Sequence, residues 1–164
     1  TGVQTCALPI SGPDVFAGYW REPELTASAF RNGWLHTGDL ARADDWGYLY
    51  IVDRKKDMII SGGFNVYPAE IETVLYQHPA VYEACVVGVP DPVWGESVKA
   101  VVVLRDGASA QADDLIQHCA ERLADFKKPR SVDVVAELPK NANGKLSRKA
   151  VREVFWKDQV RRVA

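Results

Sequence analysis

Two β-branched runs constrain the chain more tightly than anything else in it. "YEACVVGV" (82–89) and "SVKAVVVLR" (97–105) are separated by the breaker-rich "PDPVWGE". Valine-rich runs bounded by Pro, Asp and Gly read as strands. "SVDVVAEL" (131–138) reads as a third long strand. Helical patterns lie between and beside them. Pro68 sits where a helix accepts proline, and Ile71, Val74 and Leu75 follow at helical spacing. In "ADDLIQHCAERLADF" (112–126), Leu115, Ile116, Cys119 and Leu123 share one face. "DMII" and "FNVY" flank Ser61, Gly62 and Gly63 as a hairpin, and a last helix starts near Ser147. The segment 56–164 is therefore predicted to be a small α+β domain of about one hundred residues, a size that can fold alone. Its expected architecture is a central three-stranded sheet with flanking helices, plus a two-stranded hairpin.

The preceding segment is different. "GYWREPELTASAF" reads as a short helix, and "NGWLHTGDLARADDWGYLYIVD" as strand, turn, strand, with turns at Asn32-Gly33 and Trp46-Gly47. That is too little to close a core, so 11–55 is expected to be the β-rich edge of a larger body. The first ten residues, "TGVQTCALPI", carry no charge and no periodicity. They resemble the in-frame translation of a sequencing-adapter oligonucleotide. Residues 1–10 are accordingly expected to be foreign and disordered, with the native chain starting near Ser11 and lacking its own N-terminal part.

Composition excludes several classes. The net charge of −2 gives no basic field for nucleic acid, and no apolar run reaches the roughly 18 residues of a membrane span. Cys6, Cys85 and Cys119 are odd in number and unevenly spaced, which suggests neither a disulfide framework nor a metal site and fits a reducing cytoplasm. His36, His78 and His118 stand apart from them and read as surface or helix-end residues.

Four places could carry chemistry. Asp39, in "TGDL", either caps a turn or accepts from two vicinal hydroxyls such as those of a ribose. The charged run Asp53, Arg54, Lys55, Lys56 is either a solvated strand edge or a patch facing ribose or phosphate, with Arg54 as a forked donor. Gly62 and Gly63 either make a turn or let backbone approach a narrow ligand. Lys145, in "PKNANGK", is either a solvated lysine on an exposed, mobile loop or a cation delivered to phosphate oxygens.

In their order and spacing these segments resemble the C-terminal part of the acyl-adenylating (AMP-binding) enzymes: acyl- and aryl-CoA ligases, peptide-synthetase adenylation domains and luciferases. The resemblance runs through "GYWREPELTASAF", "GWLHTGDL", "GYLYIVDRKKDMIISGGFNVYPAEIE", "GVPDPVWGESVKAVVVL", "LADFKKPRSV" and "LPKNANGKLSRKAV". The segment 53–72 is most similar to the fatty-acyl-CoA synthetase branch. The resemblance implies an ATP-dependent ligase that first makes acyl-AMP and pyrophosphate and then passes the acyl group to coenzyme A. ATP with magnesium, a carboxylic acid and coenzyme A would be its small-molecule partners, and the chain's own missing N-terminal domain would supply the phosphate loop and acyl pocket. By match to family motifs, Asp39 and Arg54 would contact the AMP ribose and Lys56 would be a hinge. Gly62 and Gly63 would line the pantetheine tunnel. Trp94, Phe126, Lys128 and Arg130 would contact the coenzyme A nucleotide, and Lys145 would be the adenylation lysine. The truncated chain would not be active alone. A peptide-synthetase adenylation domain, or a non-catalytic module binding nucleotide, coenzyme A or a partner, are the alternatives left open.

Overall fold

A computed structural model describes residues 6–157. The chain divides into two compact units between Lys56 and Asp57.

The first unit is a four-stranded antiparallel sheet built on β3 (Trp34–Ala43). One edge of β3 pairs with β1 (Cys6–Ile10); the other pairs with β2 (Phe30–Arg31) and then β4 (Leu49–Arg54). Local chemistry sets each connection. Helix α1 (Pro23–Ala29) opens on its proline. Asn32 and Gly33, at φ 52° and 78°, make the left-handed pair that a two-residue hairpin requires. Between β3 and β4, the Asp44 carboxylate accepts from Trp46 N, Tyr48 N and Tyr50 Oη at 2.9–3.0 Å. Among the described residues of this unit, only Leu40 and Ala41 are buried hydrophobics, while Trp34, Trp46, Leu49 and Ile51 are exposed.

One expectation fails here. Residues 6–10, set aside above as disordered, form β1, with Ala7 opposite Leu40 and Ile10 opposite Leu35. Leu8 is the one half-buried residue of the strand; the others are exposed. The pairing is therefore a backbone ladder, supplemented by the Thr37 hydroxyl donating to Leu8 O at 2.9 Å. Side-chain pattern, on which the exclusion rested, plays almost no part in it. Residues 1–5 lie outside the described residues.

Among the described residues, the second unit is a mixed five-stranded sheet with three helices. Hairpin strands β5 (Ile59–Ser61) and β6 (Phe64–Val66) precede α2 (Pro68–Leu75). Long strands β7 (Val81–Asp91) and β8 (Gly95–Leu104) pair antiparallel along their whole length. Helix α3 (Ala112–Ala120) then leads to β9 (Ser131–Val134), parallel to β8, and α4 (Arg148–Phe155) ends the described chain. The hairpin expected to stand apart is continuous with the main sheet, through Ser61 opposite Gly95 and Gly62 N donating to Trp94 O at 3.0 Å.

Both faces of this sheet are covered, which is why β7 and β8 carry the continuous apolar runs Ala84–Val89 and Ala100–Leu104. Ala84, Val86, Val98, Ala100 and Val102 point to the side of Ile71, Leu75, Leu115 and Cys119 on α2 and α3. The alternate residues Cys85, Val87 and Val101 meet Leu138 and Val151 on the other side. Two lengths differ from expectation. The helix read as 112–126 stops at Ala120, because the chain must turn to carry Phe126–Arg130 back to β8, where Arg130 N donates to Val98 O. The third long strand is four residues, because beyond Val135, whose N–H reaches Val102 O, the chain leaves the edge to lay Leu138 over the second face.

Candidate functional site

Asp39 and Arg54, singled out separately in the sequence, are cross-strand neighbours on β3 and β4. Arg54 Nε lies 3.6 Å from Asp39 Oδ1, a loose pair with the arginine largely in solvent. The Asp39 backbone is fixed by its N–H to Thr37 Oγ1 at 3.1 Å, after Gly38 at φ 78°. A carboxylate on a fixed backbone with spare lone pairs, beside a guanidinium with spare donors, can accept from and donate to a diol together. Lys56 lies in the 3-10 turn Lys55–Asp57, at the division between the units.

In the second unit the hairpin turn has two unlike glycines. Gly62 (φ 57°) lies against Trp94, and a Cβ there would come within 2.5 Å of the indole Cε3. Gly63 (φ 84°) has nothing within 4 Å of where its Cβ would be. The first is a packing glycine and the second an open one. Trp94 is aimed by Asp91, whose Oδ1 accepts from Val93 N and Trp94 N at 2.9 Å; these bonds hold the Asp91 carboxyl below its ordinary range. The Arg130 guanidinium stands 4.7 Å from the Trp94 ring centroid. On the far side of the turn Phe64 stacks on Phe126, 4.7 Å between centroids at 26°. Lys128 pairs with Asp125, and Lys127, which the sequence did not single out, bonds both oxygens of Glu70 at 2.7 and 2.8 Å. Gly63 thus lies on a turn flanked by two partly exposed aromatic groups, with Arg130 at one of them. Such a surface can stack a heteroaromatic ring and meet phosphate.

Lys145 is exposed, and its loop is more ordered than the expected mobile one. Asn141 N donates to Lys145 O at 2.7 Å, and Gly144 N to Asn141 O at 2.9 Å. Asn141 Oδ1 accepts from the backbone of both Asn143 and Lys145 at 3.0 Å. Lys140 and Leu146 close the base of the turn as a β-bridge. The asparagines and glycine read as breakers are what lock it: Asn141 builds the Asx bonds and Gly144 takes φ 73°.

A charge network next to this turn escaped the sequence reading. Arg148 Nη2 bonds both oxygens of Glu72 at 2.7 Å, and its Nη1 lies 3.3 Å from Asp57. Arg152 lies 3.6 Å from Asp57. Side-chain exposure across the four is only 11–20%, so these are largely desolvated pairs. Beside them the Cys85 thiol is pushed up to about 12, by burial first and by the Glu72 charge second. No local signal links Glu72 to Arg148, 76 positions apart.

Among the described residues, no group of three or more His, Cys, Asp or Glu side chains could hold a metal ion, and no helix is long and apolar enough to cross a membrane. His78 and His118 meet edge to face at 5.1 Å, with His118 Nε2 3.0 Å from Val74 O.

Residues 70–145 match the AMP-binding enzyme C-terminal domain. The chain is 51% identical over 148 residues to a feruloyl-CoA synthase of an Amycolatopsis species, covering 90% of this chain and 30% of that protein. It is 49% identical over 144 residues to a long-chain-fatty-acid–CoA ligase of Bacillus subtilis, covering 88% and 26%. Among solved structures it is similar to ATP-bound MatB from Rhodopseudomonas palustris, at TM-score 0.85 and 44% identity, over 94% of this chain and 31% of that one. The chain therefore spans about three tenths of the length of the proteins it matches.

Proposed function

From the premise that the chain carries the C-terminal domain of an AMP-binding enzyme, we propose that it is the mobile part of an ATP-dependent acyl-CoA ligase. In the first step a carboxylate oxygen attacks the α-phosphorus of ATP, and pyrophosphate leaves with the bond electrons. In the second the thiol of coenzyme A attacks the acyl carbon, its proton is lost, and AMP leaves. ATP enters with magnesium. In this reading the phosphates, the metal and the acyl group are held by an N-terminal domain outside this chain, which spans only 26–30% of those two relatives.

In this reading Lys145 supplies positive charge while pyrophosphate departs, which is electrostatic stabilisation confined to the first step. Asp39 and Arg54 hold the adenylate ribose. The open Gly63, with Gly62 fixing the turn behind it, gives the pantetheine thiol its approach. Trp94 with Arg130, and Phe126 with Lys128, take the adenine and phosphates of coenzyme A. Lys56 is the pivot between the two faces. The observation that carries the reading is Lys145 itself: an exposed ammonium, without a side-chain partner among the described residues, on a turn fixed by four backbone and Asx hydrogen bonds. The acid is taken as a fatty acid, on the likeness of 53–72 to that branch. A feruloyl-type acid is the second reading, favoured by the 51% identity to a feruloyl-CoA synthase. Three free thiols suit a reducing cytoplasm.

The test joins this chain to the N-terminal two thirds of the Bacillus subtilis ligase and follows each step in single turnovers. Lys145→Ala should slow pyrophosphate release on the order of 10²–10³-fold and leave the reaction of supplied acyl-AMP with coenzyme A unchanged. A bulky residue at Gly63 should do the reverse. The chain by itself should release no pyrophosphate. Equal slowing of both steps by both variants overturns the proposal.

A further inference from the structure

The network around Arg148 has no part in the chemistry just assigned, yet it is largely out of water and lies three residues beyond Lys145. Surface ion pairs rarely hold a geometry, whereas a forked guanidinium shared between two desolvated carboxylates does. Arg148 is the first residue of α4, directly after the N-cap Ser147, whose Oγ accepts from Ala150 N at 3.3 Å. Its guanidinium fastens that helix start to Glu72 on α2 and to Asp57 at the beginning of the unit. Ser147 N in turn donates to Pro139 O at 2.8 Å, tying both ends of the Lys145 turn together. On the other side of the turn Lys140 Nζ bonds Glu83 of β7 at 2.7 Å. Leu146 packs with the second core cluster. The turn is thus gripped at both feet, and the stronger grip is Arg148.

We infer that Arg148 is a positioning residue for Lys145: by clamping the start of α4 to Glu72 and Asp57, it sets where the lysine ammonium stands when the domain presents it to the nucleotide. The inference rests on the adenylation role proposed for Lys145. Lys145 is then carried as a rigid extension of the domain, so little ordering remains for the moment of reaction.

The test uses the joined enzyme described above with Arg148→Lys, which keeps the cation but loses the fork. Glu72→Gln is the second variant; it removes one anchoring charge while leaving Arg148 beside Asp57. Adenylation should fall about 10²-fold, the scale of a 1 Å misplacement, with the loss in kcat rather than in KM for ATP. The reaction of supplied acyl-AMP with coenzyme A should be unchanged. In a Lys145→Ala background, either change should cost nothing further, because a residue acting through Lys145 has nothing left to position. Losses that multiply with Lys145→Ala, or that strike both steps alike, overturn the positioning role and leave a structural one. If Arg148→Lys does not fold, Glu72→Gln decides by the same criteria. Adenylation that survives Lys145→Ala sinks the reading of Lys145 itself, whereas collapse with Lys145→Ala plus multiplying losses sinks only the role of Arg148.

Discussion

Gly62 and Gly63 are neighbours, both left-handed, and their tolerance should differ sharply. An L-residue at either position meets the same backbone cost, on the order of 1–2 kcal/mol. At Gly63 that is all it meets, since the space is open. At Gly62 the new Cβ would also have to displace the Trp94 ring from 2.5 Å away. Gly62→Ala should therefore lower the denaturation midpoint clearly more than Gly63→Ala, and only Gly62→Ala should shift tryptophan emission. Equal midpoints would remove the distinction between a packing and an open glycine. Single residues were also where the sequence was most readable. Asn32-Gly33 announced its turn because the φ requirement is local. Lys145 and Asp39 stood in quoted motifs, but the cross-strand meeting of Asp39 with Arg54 follows from a register that neither residue encodes.

Among the elements, α4 is the one whose role was least visible. Its start near Ser147 was legible, but its packing over Cys85 and Val87 and its ionic anchor to α2 connect positions far apart in sequence. The ends of α3 and β9 were misjudged for a related reason. Hydrophobic spacing continues past Ala120 and Val134, while the path of the chain is decided by partners on β8. Burial of one thiol on each face of the sheet has a measurable chemical consequence. Cys85 is raised to about 12 and Cys119 to about 11, both chiefly by burial. A thiol raised in the fold contributes stability that is complete below its unfolded value of about 8.5 and declines as pH rises towards the folded one. Stability should thus fall between roughly pH 9 and pH 12, and a Cys85→Ala, Cys119→Ala pair should flatten that decline. At pH 8 a disulfide reagent should modify the exposed Cys6 and spare the two buried thiols. Rapid reaction at Cys85 would mean that α4 does not stay closed over it.

At the scale of the whole molecule, the two units are unequal. Among the described residues, the second owns both hydrophobic clusters and the Arg148 network, while the first has one sheet and several exposed aromatics, among them Trp34, Trp46 and Tyr48. Limited proteolysis should leave a resistant product beginning near Asp57, and residues 57–157 expressed alone should melt cooperatively. A stable product that requires β3 and β4 would contradict that division. The overall class was readable because a doubly covered sheet favours long apolar runs within its strands, a signal that survives without knowing any partner.

The backbone ladder between β1 and β3 reaches beyond this chain. Four of the five residues of β1 leave their side chains exposed, so β3 recognises an extended main chain and little else. Such an edge is indifferent to what fills it, and is a hazard whenever it is left bare. Deleting residues 1–10 should leave a chain that recruits strands from its neighbours, visible as added concentration-dependent species in light scattering relative to the undeleted chain. Restoring any charge-free, proline-poor decapeptide at the N-terminus should suppress them, because the edge asks for occupancy rather than identity.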